Sequence, residues 1–117
     1  MTNPNLEQPA AYDCVLIDDE ELVRATWRLA ARSAGVRLLA VAASEDFWGH
    51  APQLNLTVPI YVDCNLANQT SGERLADQIC AAGFTNIYLQ TGYDRDAVGT
   101  AARPWLKGLV GKEPPWP

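Results

Sequence analysis

Five short apolar runs alternate with segments of helical periodicity, and this alternation restricts the fold of the chain more than any other feature. The runs are 14–17 (CVLI), 36–42 (VRLLAVA), 58–62 (VPIYV), 86–90 (NIYLQ) and 108–111 (GLVG). Cys14-Val15-Leu16-Ile17 has no polar alternation, as expected of a central strand covered on both faces. Residues 22–33 read as a helix with an acidic start, with Leu22, Thr26, Leu29 and Ala30 on one side and Gly35 just past the end. Ser44 is positioned to cap a short helix that is over by Pro52. Ser71 caps another over 72–82, with Leu75, Ala76, Ile79 and Cys80 as its apolar stripe and Gly83 as a left-handed stop. A weak helix over 94–102 is interrupted by Gly99 and finished before Pro104. Strands that alternate with helices predict a doubly wound parallel sheet.

Size and charge narrow the function. With 117 residues, 48% hydrophobic and 20% charged, the chain suits one globular domain and not two, and it is not disordered as a whole. A net charge of -5 disfavours nucleic acid and anionic membrane as partners. No apolar run is long enough to span a bilayer. The opening MTNPNLEQPAAYD lacks the basic and apolar regions of a signal peptide, so residues 1–12 are expected to be a flexible lead-in and the location cytoplasmic. Cys14, Cys64 and Cys80 form no CxxC pair, and His50 is the only histidine, which fits neither a disulfide framework nor a zinc site. Two or more of the cysteines read as packed thiols in a reducing compartment, and His50 as a surface or helix-capping residue.

In an open parallel sheet, ligands bind beyond the carboxyl ends of the strands. Asp18 and Asp19 follow the first run, Asp63 the third, Thr91 the fourth and Lys112 the fifth. Singly, these are ordinary residues: helix caps, a turn aspartate, a Thr-Gly turn, an exposed lysine. Together they place three carboxylates in one crevice, where they repel unless a cation lies among them. Oxygen ligands without histidine or thiolate select a hard ion, Mg²⁺ above all. A carboxylate beside Mg²⁺, a hydroxyl and an ammonium can attack phosphorus and hold the product, which makes a phosphoaspartate site.

On the segments VLIDDEELVR, IYVDCNL, SGERLADQICAAGF, YLQTGYD and the terminal Lys112, the sequence resembles the receiver domain of two-component response regulators. The spacings of 44, 28 and 21 residues from Asp19 to Asp63, Thr91 and Lys112 in turn carry the same resemblance. It implies a flavodoxin-like, doubly wound five-stranded parallel sheet in the order 2-1-3-4-5. The domain would run over 13–112, with a proline-rich tail over 113–117. It also implies that Asp63 is the phosphoacceptor, with Asp18, Asp19, Asp63 and the backbone carbonyl of Asn65 around Mg²⁺. Thr91 would be the switch hydroxyl and Lys112 the phosphate-pairing cation. The donor would be a histidine kinase or a histidine phosphotransfer domain, and His50 is out of place for a kinase phosphorylation box. The chemistry would be self-directed, so the protein would not be an enzyme in the ordinary sense.

The sequence also departs from that family. Ala67 stands where a proline is usual, and Glu113 separates Lys112 from Pro114. Leu109 occupies the aromatic switch position, with Tyr93 and Trp105 as candidate substitutes. No fifth helix can form from EPPWP. The apolar sheet surface left at strand 5 then needs cover from Trp116 and the prolines, an output protein or a second copy. Two other readings compete: a degenerate receiver serving as a phosphorylation-independent interaction module, and a Mg²⁺-dependent phosphohydrolase, which Asn65 opposes because such enzymes want an acid there. Cys64 beside the acceptor is read as a packed thiol, with redox sensing as the alternative.

Overall fold

The computed structural model describes residues 12–64, 66, 71–90 and 103–116. Five strands, β1 (Cys14–Ile17), β2 (Leu38–Val41), β3 (Ile60–Asp63), β4 (Ile87–Gln90) and β5 (Gly108–Val110), form one sheet in the order β2-β1-β3-β4-β5. Every adjacent pair is parallel. Three helices accompany them: α1 (Glu21–Ala34), α2 (Ser44–His50), which continues into a 3₁₀ turn over Ala51–Gln53, and α3 (Gly72–Ala81). The flavodoxin-like order expected from the resemblance is the order observed. The expected helix over 94–102 lies outside the described residues. Residues 111–116 form bends and no helix.

Register explains the two cores. Leu16 pairs with Ala40 on one side and Tyr61 on the other, and Tyr61 pairs with Tyr88. These positions share one sheet face, because side chains alternate along a strand. There Cys14, Leu16 and Tyr61 pack with Trp27 of α1, flanked by Val23, Val36, Tyr88, Val110 and Trp116. The opposite face carries Val15, Ile17, Ile60, Val62, Ile87 and Leu89, covered by Phe47 and Leu54 around α2 and by Leu75 and Ile79 of α3. Cys14 to Ile17 are all buried, as a central parallel strand requires.

Two details differ from the sequence expectation. The inward side of α1 is Trp27 and Ala31, while Leu22 and Leu29 are 77% and 67% exposed. The helix carries two apolar stripes, and the one containing the indole buries more surface. Ser44 is the first residue of α2 and Ala43 its N-cap, with no side-chain capping bond. Ser71 does cap α3, its Oγ accepting from the Arg74 N–H at 3.3 Å. Gly35 and Gly83 adopt φ of 72° and 108° and end α1 and α3 as anticipated.

The surface beside β5 is covered in part by the chain's own tail. The Trp116 ring stands edge-on to Trp27, with centroids 5.3 Å apart and an interplanar angle of 79°. Trp27 in turn meets Tyr61 at 5.2 Å, and Tyr61 stacks on Tyr88 at 4.7 Å. On the other face Leu109, Trp105 and Leu106 are half-buried against the core.

Candidate functional site

The site lies beyond the carboxyl ends of β1 and β3. Asp18 directly follows β1 and is completely buried. Its N–H donates to the Val41 carbonyl at 3.0 Å, its Oδ1 accepts from the Glu20 N–H at 2.9 Å, and its carbonyl accepts from Arg24 Nη1 at 2.9 Å. The short aspartate therefore closes its own turn, and Arg24 ties that turn to α1. Asp19 is half-buried beside it.

Asp63 ends β3, opposite Gln90 of β4, and is buried. The chain after it is fixed by two backbone bonds, Cys64 N–H to the Gln90 carbonyl and Gly72 N–H to the Cys64 carbonyl, both 3.0 Å. Gly72 comes so close that a Cβ there would overlap the Asp63 carbonyl. Only glycine lets α3 begin this near the acid.

Asp18, Asp19 and Asp63 each present a carboxylate oxygen, all within 4.8 Å of one another. Lys112 Nζ bridges two of them, donating to Asp18 Oδ2 at 2.7 Å and Asp63 Oδ1 at 2.9 Å. Burial works against the ammonium, but the bonds to Asp18 and Asp63 outweigh it and hold its pKa above the usual lysine value. Lys112 is thus charged at neutral pH. Among the described residues, three carboxylates face the Lys112 ammonium, which touches two of them, so negative charge is in excess. The donors are all oxygens. A small divalent cation fits both the charge and the ligand type.

Of the residues expected at this site, Asp18, Asp19, Asp63 and Lys112 come together as the sequence predicted. Asn65, Thr91 and Tyr93 lie outside the described residues, as does Ala67. Three supporting residues were not anticipated from sequence: Gly72, Gln90 and Trp27. Gly72 left a signal, a glycine at the first helical position behind a serine cap. Gln90 and Trp27 act on the backbone at Gly111 and Lys112, and no local pattern announces such contacts.

Other candidates are quieter. Cys64 is buried, and burial, then Glu73 and Asp63, push its thiol up to about 11, which leaves little thiolate for redox chemistry. Cys14, Cys64 and Cys80 are all free thiols. His50, the last residue of α2, has its Nδ1 2.9 Å from the Asp46 carbonyl one turn back, an exposed contact within the helix. No helix among the described residues is long and apolar enough to cross a membrane.

Among known proteins, no family model and no curated protein matches the chain. Two solved structures do. One, a protein assigned as a response regulator from Chloroflexus aurantiacus J-10-fl, is 19% identical with a TM-score of 0.68, over 86% of this chain and 84% of that one. The other is the signal receiver domain of a modulated diguanylate cyclase from Desulfovibrio desulfuricans G20. It is 27% identical with a TM-score of 0.66, over 85% of this chain and 79% of that one.

Proposed function

We propose that this chain, which has the fold of response-regulator receivers, accepts a phosphoryl group on Asp63 from a histidine kinase or histidine phosphotransfer domain and thereby switches its protein contacts. The observation that carries this reading is the ammonium of Lys112 bridging Asp18 and Asp63 within a cluster of three carboxylates. An ion-pair network kept only for stability would not set a third acid beside the pair that the lysine bridges, since the surplus charge costs free energy.

In the transfer, an Asp63 oxygen attacks the phosphorus of a phosphohistidine. The P–O bond forms as the P–N bond breaks, and the electron pair leaves on the imidazole nitrogen, which takes up a proton. Lys112 offers its N–H donors to the phosphoryl oxygens as negative charge spreads over them. Asp18, Asp19 and Asp63, with the Asn65 carbonyl, would hold Mg²⁺, which when bound neutralises phosphoryl charge and relieves the repulsion among the acids. Thr91 would supply a hydroxyl to the same oxygens. The buried setting of Asp63 limits water and so protects the acyl phosphate. The chemistry is self-directed, the location cytoplasmic, and the output protein–protein contact, with no part for nucleic acid or membrane.

Incubation with Mg²⁺ and acetyl phosphate tests the reading. The wild type gains an acid-stable, base-labile phosphoryl group and Asp63→Asn does not. Failure of the wild type to be modified, together with no Mg²⁺ binding at millimolar concentration, points instead to a degenerate receiver acting as a phosphorylation-independent module.

A further inference from the structure

Lys112 stands beyond the last paired residue of its strand. The β4–β5 ladder ends at Gln90 and Val110, so the sheet holds neither Gly111 nor Lys112. Yet the ammonium must meet two buried acids at 2.7 and 2.9 Å, from a flexible four-carbon stem whose geometry depends on where its backbone is anchored. Two buried side chains provide that anchor. Gln90 Nε2 reaches the Gly111 carbonyl at 3.5 Å, at the long limit of a hydrogen bond, and its buried Oε1 has no partner among the described residues. Trp27 Nε1 donates to the Lys112 carbonyl at 2.8 Å across 85 residues of sequence. Trp27 is fully buried and wedged edge-on between Tyr61 and Trp116, so its donor cannot swing away.

We infer that Trp27 is a positioning residue for Lys112: its indole N–H fixes the lysine backbone and so aims the ammonium at Asp63 and at the phosphoryl group it would carry. The inference rests on the proposed phosphoacceptor reading and deepens it. The indole does not touch the acids. Its loss should weaken what Lys112 binds while sparing what the carboxylates bind.

That split is the test. Trp27→Phe keeps a ring in the core and removes only the donor and the smaller part of the indole. Mg²⁺ affinity and beryllofluoride affinity are measured by titration on wild type and variant, each checked for folding by circular dichroism. For the variant, beryllofluoride binding should weaken about fivefold, the change expected for one net hydrogen bond, with Mg²⁺ affinity unchanged within about twofold. Equal beryllofluoride affinity in both proteins, or parallel losses of both ligands, overturns the positioning role. A wild type that binds no beryllofluoride at all overturns the reading beneath it instead. Should Trp27→Phe fail to fold, the native protein decides. In ¹H–¹⁵N spectra the Trp27 indole resonance must shift on adding Mg²⁺ and beryllofluoride, by more than that of Trp48 on the opposite face. An unmoved Trp27 resonance in a protein that binds the analogue refutes the coupling.

Discussion

Replacing Asp19 by asparagine should make the protein more stable and less able to bind Mg²⁺. The oxygens of Asp18, Asp19 and Asp63 lie within 4.8 Å of one another. At that separation, and an effective dielectric of about 20, one pair of like charges costs about 3.5 kcal/mol. Asp19 faces two such partners, but it is half-exposed, and the Lys112 ammonium offsets part of the field, so a net gain of about 1–2 kcal/mol is reasonable once screening is included. Asparagine also gives up a favourable charge near the start of α1, worth about 0.3–0.5 kcal/mol, which is too small to reverse the sign. For a domain of this size the balance is a rise of about 5–10 °C in Tm. Mg²⁺ works in the other direction: at a hundred times Kd it would stabilise the wild type by about 2.7 kcal/mol, and the variant, short of a ligand, by much less. Melting curves followed by calorimetry should therefore cross, with Asp19→Asn ahead in EDTA and the wild type ahead in saturating Mg²⁺. A variant that melts below the wild type in EDTA would refute the claim that the acids strain one another.

Further expectations follow from other parts of the fold. Gly72→Ala forces its methyl against the Asp63 carbonyl and should cost about 1–3 kcal/mol by urea denaturation, with weaker Mg²⁺ binding because β3 must shift. Asp13 is held down to about 2 by the side chain and then the backbone N–H of Arg37. Its folded pKa is depressed, so the stabilisation it gives is present above about pH 4 and fades as pH falls through about 2. The stability curves of wild type and Asp13→Asn should differ near neutral pH and converge at the acid end. Burial raises the Cys14 thiol to about 12 and the Cys64 thiol to about 11, whereas Cys80 is only half-buried. Alkylation of the native protein at pH 8 should therefore mark Cys80 first by peptide mapping.

Most of the topology was legible because it depends on patterns with short range. Unbroken apolar runs gave β1 and β3, the Ser71 cap and Gly83 gave α3, and the acids at strand ends gave the site. The inward side of α1 was not legible, because Leu22 and Leu29 form as regular a stripe as Val23, Trp27 and Ala31. The choice between stripes is made by the pocket that Leu16, Tyr61 and Trp116 leave for an indole, which is tertiary information. The Ser44 cap failed for a related reason. A serine that can cap can also open a helix, and the extended backbone at Ala43 settles which it does. The anchoring of Lys112 was equally hidden, since it runs through main-chain carbonyls, which have no sequence identity.

Asp18 and Lys112 pair although they stand 94 positions apart in the sequence. Contacts of such separation are the last to be rewarded as a chain orders, because the intervening loop must close first. A folding molecule would therefore assemble β1 to β4 with Asp18 and Asp63 already enclosed and their neutralising cation still unplaced. The reverse holds for opening. Release of the segment from β5 through Trp116 would withdraw the ammonium from the acids while the pairings among β1 to β4 stayed in place, a local opening rather than a global one. Amide protons of β5 should exchange with solvent faster than those of β1, and the docked state of that last segment would then set how long the acids keep their cation.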